Sequence, residues 1–375
     1  MYVQRKINLP GQSFFLFGPR GTGKTMMLKK RCEDSFYIDL LDPERYRELL
    51  AHPEYLFELV KSVADNSVVI IDEIQKVPQL LEPVHAIIEQ HRGIQFILTG
   101  SSARKLRRSS ANLLGGRALN IQMIPFVFSE ISEHWSFEKM LEFGTIPVVV
   151  MSESPSKVLS AYIDLYLREE IFNEGLTRNI ENFARFLESV SFSHASLLNI
   201  SNISRECSVP RKTVEGYVQI LKDLLIAETI EVFTKRAQRK LVSHEKFYFF
   251  DTGLFRHLRP KGPFDKPSEI DGAALEGLVF QHLKASILLS DKKDNIYFWR
   301  TRSGNEVDFV IYGESGIRAY EVKNKKKISP SDLTGLKNFK NDYPEAELFL
   351  IYRGEDTFVR KDIKVVPCDK FLAGL

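Results

Sequence analysis

Along the first 125 residues, short apolar runs alternate with stretches whose apolar positions recur every three to four residues. The runs are Phe14–Phe17, Phe36–Leu40, Val68–Ile71, Phe96–Thr99 and Leu119–Met123. Between Leu80 and Gln90, the side chains of Leu81, Val84, Ile87 and Ile88 fall on one helical stripe. Short continuous runs read as buried strands and striped stretches as helices. Their alternation predicts an α/β domain with a mostly parallel sheet, because each parallel connection must cross over and lays its helix on a face of the sheet.

From about Ile146 the pattern changes. Val158–Val190 is dense in helix formers and contains no proline, so it predicts helices. Ile200–Ile226 reads as a helical hairpin whose second helix opens at Pro210 and repeats apolar residues at Val214, Tyr217, Leu221, Leu224 and Leu225. Two strand-like runs follow, Thr229–Phe233 and Lys246–Phe250, joined by the basic connector Lys235–Lys240. Arg259–Pro267, rich in proline and glycine, reads as a linker. Beyond it the pattern is α+β: a helix over Ala273–Leu289, three strands, a helix around Leu333–Lys340 and a strand at Glu347–Tyr352. The expected domains are therefore residues 1–145, 146–262 and 263–375.

Length and composition agree with two or three cored domains: 375 residues, 43% of them apolar and 27% charged. The net charge is only +3, and residues 1–145 carry 18 basic against 17 acidic side chains, so any nucleic-acid contact must come from local patches. No apolar run approaches the roughly 20 residues that span a bilayer, which predicts no membrane partner. The N-terminus lacks the apolar core of a secretion signal, and Cys32, Cys207 and Cys368 lie far apart; a reduced, cytoplasmic setting is expected.

The chemistry begins at Gly18-Pro19-Arg20-Gly21-Thr22-Gly23-Lys24-Thr25, which fits G-x-x-x-x-G-K-[ST] between a strand and a helix that continues through Met26. The glycines allow backbone conformations that aim N–H groups at phosphate oxygens, and the helix start adds a positive dipole end. Lys24 is suited to the β- and γ-phosphates and the Thr25 hydroxyl to Mg²⁺. The run Val68–Ile71 ends in two acids. Asp72 is the expected holder of the Mg²⁺ shell and Glu73 the general base for water. On the run Phe96–Thr99, either Thr99 or Ser101 is placed to sense the γ-phosphate. ATP and Mg are the expected cofactors, since the Asn-Lys-x-Asp motif that reads guanine does not occur.

The hairpin and its two strands have the form of a winged helix. Arg211, Lys212 and Thr213 open its second helix, where base or phosphate contacts are made, and the basic connector stands where the wing would be. DNA is thus one expected partner; packing that couples ATP state to neighbouring parts is the other reading. Farther on, side chains two apart on a strand share a face, so Glu321 projects with Lys323, Asp308 on the preceding strand lies beside them, and Glu276 approaches from a helix. Carboxylates converging with a lysine can hold Mg²⁺ and steady a hydroxide for phosphodiester attack.

Five strands in this order, with one strand between those bearing Lys24 and the acids, resemble the AAA-type P-loop ATPases. Asp308, Glu321 and Lys323 resemble the Asp…Glu-x-Lys signature of restriction-endonuclease-like nucleases, although Val307 stands where a proline is usual. End to end the chain is similar to a prokaryotic group that joins an AAA-type ATPase, a winged-helix segment and a restriction-endonuclease-like domain of unknown function. The motifs that carry the likeness include Asp72–Lys76, Leu98–Ser102 and Gly116-Arg117 with Ile124–Phe126 beyond. It implies binding of ATP and ADP, hydrolysis, a homo-oligomer, and a trans-acting arginine from Arg104–Arg108 or, best placed, Arg117. The last domain is then either a nuclease centre or a non-catalytic interaction module of a regulatory ATPase.

Overall fold

The structure, a computed structural model, describes residues 2–90, 93–101, 104, 106, 113–167, 180–234 and 244–375. The connector Lys235–Lys240 lies outside the described residues, as do Ser102, Lys105, Arg107 and Arg108. The chain divides into two compact units. One spans residues 2–124 with 223–225, and the other spans 125–222 and 226–375.

In the first unit, β1 (Phe14–Phe17), β2 (Phe36–Asp39), β3 (Val68–Asp72), β4 (Gln95–Gly100) and β5 (Leu119–Gln122) form a five-stranded sheet in the order β2-β3-β4-β1-β5. Every neighbouring pair is parallel. All four residues of β1 are buried, as befits a central parallel strand covered on both faces. Phe15, Val69, Phe96 and Leu98 pack with Leu81, Val84 and Ile87 of the helix Leu81–Glu89, the stripe read from the sequence. Because β4 lies between β1 and β3, the loop after β1 and the acids after β3 open at the same edge, with the end of β4 between them.

The second unit holds two sheets. β6 (Ser196–Leu197), β7 (Ala227–Ile230) and β8 (Lys246–Phe249) form the smaller one, in the order β6-β8-β7. It accompanies the helices Ile180–Ser191, Ile200–Cys207 and Arg211–Asp223. The last starts one residue after Pro210 and buries Val214, Tyr217 and Leu221, with the Tyr217 ring against Phe183 and Phe186. The larger sheet contains β9 (Asp294–Arg300), β10 (Glu306–Gly313), β11 (Gly316–Lys323), β12 (Glu347–Tyr352), β13 (Phe358–Arg360) and β14 (Ile363–Pro367), ordered β13-β14-β12-β11-β10-β9. β9, β10 and β11 are antiparallel; β11, β12 and β14 run parallel.

Two boundaries differ from expectation. The helix read from Ala273 starts at Pro267, since proline suits a first helical turn, and so absorbs the end of the expected linker. The run Thr229–Phe233 is also not one strand. β7 ends at Ile230, and the chain then pairs with the edge strand β9: Phe298 N–H donates to Glu231 O at 3.1 Å, and Phe233 N–H donates to Phe298 O at 2.7 Å. Phe233 is thereby buried among Trp299, Phe339 and Tyr343. This shared pairing and core place the middle and last segments in one unit.

Candidate nucleotide site and acidic cluster

The loop after β1 has the backbone its glycines allow. Gly21 and Gly23 take φ of 73° and 86°, the left-handed region that penalises a side chain. A Cβ on Gly18 would stand 2.6 Å from Met123 O, so only glycine admits this approach to the chain beyond β5. Lys24 is buried, and its Nζ donates to Gly18 O at 2.6 Å and Pro19 O at 3.1 Å, which draws the ammonium into the curve of the loop. Thr22 Oγ1 donates to Pro19 O at 2.7 Å. Arg5, buried though far upstream, straps the loop: Nη1 donates to Thr22 O at 2.9 Å and Nη2 to Ile124 O at 2.7 Å. Arg20 and Met26 are exposed on the outside of the turn.

Asp72 is buried at the end of β3 and is held by three hydroxyls. Thr25 Oγ1 donates to its Oδ2 at 2.8 Å, Tyr37 OH donates to the same oxygen, and Thr99 Oγ1 donates to Oδ1. Burial, and then the bond to Asp72, push the Tyr37 phenol far above its ordinary range, so it stays a donor. Glu73 adopts φ 62°, unfavourable for a side chain with a Cβ, and its N–H donates to Thr99 Oγ1 at 3.2 Å. Gln75 Nε2 donates to Glu73 Oε2 and, at 3.1 Å, to Ser101 Oγ. Thr25, Asp72, Glu73 and Thr99 thus meet, Ser101 joins through Gln75, and Lys24, next to Thr25, keeps its ammonium on Gly18 O and Pro19 O. A hydroxyl and a carboxylate in contact at a strand end fit a Mg²⁺ held partly through water.

Arg5, Tyr37 and Gln75 were not singled out from the sequence. Only Gln75 carried a signal, as part of Asp72–Lys76. Arg117 lies at the other end of the sheet: Leu119 pairs with Phe14 at the start of β1, whereas Gly18 follows its end. Its Nε donates to Glu89 on a half-exposed surface, so it does not serve the phosphate loop of its own chain.

In the second unit, Asp308, Glu321, Lys323 and Glu276 do converge. The pairing of β10 with β9 shifts between Val307 and Val310, an irregularity of the kind that re-aims a side chain at Asp308. Asp308 Oδ2 accepts from Val322 N–H at 2.8 Å, and Lys323 Nζ donates to Glu321 Oε1 at 2.5 Å. What the sequence did not foresee is Lys246, which opens β8. Its ammonium is buried and meets Glu276 Oε1 at 2.7 Å, Glu306 Oε1 at 2.8 Å and Asp308 Oδ1 at 3.4 Å. Burial works against that ammonium, but Glu276, Asp308 and Glu306 hold its pKa well above the ordinary lysine value. Tyr248 OH donates to Glu276 Oε1 at 2.7 Å.

Burial, and next the Asp308 charge, raise the Glu276 carboxyl to about 7; the same two causes raise Glu321 well above the usual range. Of the expected metal set, Asp308 and Glu276 thus share the ammonium of Lys246, while Glu321 pairs with Lys323. Among the described residues no group of three histidine, cysteine, aspartate or glutamate side chains is disposed to hold a metal ion. Lys246 and Lys323 supply two ammonium groups against the four carboxylates of this cluster, and Glu321 Oε2 is buried with no hydrogen-bond partner among the described residues.

The helix Arg211–Asp223 presents Arg211 and Lys212 to solvent at its start, with Thr213 half-buried. Arg211 Nε also pairs with Glu215 Oε1 at 3.0 Å, so the exposed face is of mixed charge. No helix among the described residues is long and apolar enough to cross a membrane.

Comparison with known proteins accords with this geometry. Residues 11–132 match the model of an AAA domain, which supports reading the first unit as an AAA-type P-loop ATPase domain. Residues 134–265 and 271–371 match two models described as domains of unknown function. An uncharacterized protein of Mycobacterium tuberculosis, Rv2008c, is 23% identical over 366 residues, covering 95% of this chain and 80% of its own. An uncharacterized protein of Haemophilus influenzae is 23% identical over 374 residues, covering 91% and 90%. MJ1544 of Methanocaldococcus jannaschii, also uncharacterized, is 23% identical over 82% of this chain and 74% of its own. The crystal structure of protein VC1899 from Vibrio cholerae covers 91% of this chain and 96% of its own at 13% identity, with a TM-score of 0.23.

Proposed function

We propose that this chain is a magnesium-dependent ATPase whose last domain is a non-catalytic interaction module responsive to nucleotide state. The observation that carries the first half is the contact of Thr25 with Asp72 beside Glu73, at the sheet edge where Lys24 is curled into a glycine-rich loop. In this reading Lys24 exchanges its carbonyl partners for phosphate oxygens, and the N–H groups of residues 18–25 hold the triphosphate. Thr25 and Asp72 hold Mg²⁺, which when bound neutralises charge on the phosphate oxygens. Glu73 accepts the proton of the attacking water, and Thr99 ties Asp72 to the Glu73 backbone so that both acids move together. Arg117, directed away from its own loop, is the arginine available to a second copy in a homo-oligomer.

The second half rests on Lys246. A buried ammonium bonded to three carboxylates offsets part of their charge and ties together the elements that bear them, as a structural centre does. This reading predicts no Mg²⁺-dependent DNA cleavage; cleavage by the wild type that is lost in Glu321→Gln overturns it.

ATP turnover and calorimetric binding, measured with and without EDTA, test the first half. Glu73→Gln should bind ATP and lose turnover by about 10²–10⁴-fold, the usual share of a general base. Lys24→Ala should lose binding. Well-folded wild type that gives no heat with ATP and Mg²⁺ sinks the proposal.

A further reading, contact with DNA, is favoured by one observation: Arg211 and Lys212 are exposed at the start of the second hairpin helix. Fluorescence anisotropy at low salt tests it. Binding that weakens in Arg211→Ala/Lys212→Ala supports contact, and no binding to DNA or RNA with or without ATP removes it.

A further inference from the structure

We propose that Gln75 is the positioning residue for Glu73, and that it works by tying the carboxylate of that base to the end of β4. The inference rests on the reading of Glu73 as the base in ATP hydrolysis. The short turn Ile74–Lys76 that follows β3 closes through Lys76 N–H on Glu73 O at 2.9 Å, and it folds the Gln75 side chain back toward the acid it follows. There Nε2 donates to both Glu73 Oε2 and Ser101 Oγ. The orientation of the amide is fixed by chemistry, since its oxygen cannot face a carboxylate without a donor between them.

Two further observations show that this place is built for the amide. Gly100 is not in the left-handed region, so its backbone does not call for glycine, yet a Cβ there would lie 2.4 Å from Gln75 Oε1. The bare position at 100 is room for this side chain. In addition, Gln75 Oε1 is buried and accepts no hydrogen bond among the described residues. Burying an amide oxygen unpaired is unfavourable, and this offsets part of what the two bonds from Nε2 contribute to stability. The donor half of the amide is what an apolar side chain lacks, and that half holds Glu73. The same strand end reaches the phosphate loop, for Gly18 N–H donates to Gly100 O at 3.3 Å.

The test is Gln75→Met, which keeps length and volume and removes the donor, measured in the full chain alone and in the Glu73→Gln background. Turnover should fall by about 10- to 100-fold, the cost of a misplaced catalytic group, with ATP affinity changed by less than about twofold. The melting temperature should fall by no more than a few degrees, since two buried acceptors lose a donor while an unpaired amide oxygen is removed. In the Glu73→Gln background the same substitution should cost nothing further in residual turnover, because Gln75 acts only through Glu73. Gln75→Asn, which restores an amide on a shorter stem, should recover part of the loss.

Wild-type turnover in Gln75→Met, a parallel drop in melting temperature and ATP affinity, or an equal loss in the Glu73→Gln background would each overturn the assignment. Those results leave the ATPase reading intact when Glu73→Gln alone is inactive. A wild type that does not hydrolyse ATP removes both.

Discussion

Two places in this chain gather carboxylates at strand ends, and they solve the charge problem in opposite ways. At the end of β3, Asp72 is held by the hydroxyls of Thr25, Tyr37 and Thr99, and Glu73 by the amide of Gln75. These partners are neutral, so they orient the acids and leave their negative charge in place. Between β10, β11 and the helix Pro267–Leu289, the partners of Glu276, Glu306, Asp308 and Glu321 are the ammonium groups of Lys246 and Lys323. That centre already holds two buried or half-buried ammonium groups, with Arg300 on Glu306 besides, against its four carboxylates. Convergent acids alone therefore do not define a metal site; what matters is also which partners, neutral or cationic, already hold them.

The contrast is sharpest in turnover. Glu73→Gln should abolish most ATP hydrolysis while Glu321→Gln, judged in the same steady-state assay, leaves it unchanged. An equal loss in both would erase the distinction drawn here. Next in size is Lys246→Met, which strands buried carboxylates and should cost about 3–5 kcal/mol in urea unfolding of the second unit. Pairing it with Glu276→Gln should recover part of that loss, whereas a mild single-variant effect would show that Lys246 is not needed for charge balance.

A smaller effect tests burial in the second unit by pH. His282 is buried, its Nε2 accepting from Phe128 N–H at 2.8 Å while Nδ1 lies 2.8 Å from Leu278 O. Burial lowers it to about 4. A depressed histidine contributes stability that is complete above the unfolded value near 6.5 and fades as pH falls toward 4. The advantage of wild type over His282→Gln should thus shrink by about 1.5 kcal/mol between pH 6.5 and pH 5, read from paired urea curves. A constant difference would place the effect elsewhere. The smallest expected change is Glu89→Ala, which frees Arg117 from a half-exposed pair and should alter stability by less than about 1 kcal/mol. Arg117→Ala mixed with Lys24→Ala is more telling: if Arg117 serves a second copy, the mixture regains turnover that neither variant has alone.

Much of the first unit was legible because its signals are local. Each of the five apolar runs became a strand, and the loop Gly18–Thr25 lies between a strand and a helix as its glycines and lysine require. The elements of the last hundred residues were also readable, down to the helix near Leu333 and the strand Glu347–Tyr352. Less legible were the partners brought in from other elements. Tyr37 reaches Asp72 only because β2 pairs with β3, and Arg5 reaches Thr22 across 17 residues of sequence. Neither carries a motif. The run Thr229–Phe233 looked like one strand because alternation says nothing of which sheet a strand joins, and the chain divides it between β7 and the edge of β9.

Taken by itself, the order of residues determined the parallel α/β unit, its phosphate loop, its acid pair, and the convergence of Asp308 with Glu321 and Lys323. Those features depend on period, spacing and turn chemistry within a few tens of residues. Only tertiary structure decided what faces the acids. Lys246 stands 62 positions from Asp308, and opening an apolar strand gives no sign of where its ammonium will go. Charge is settled by neighbours in space, so carboxylates are held by neutral hydroxyls and an amide at one site and by ammonium groups at the other.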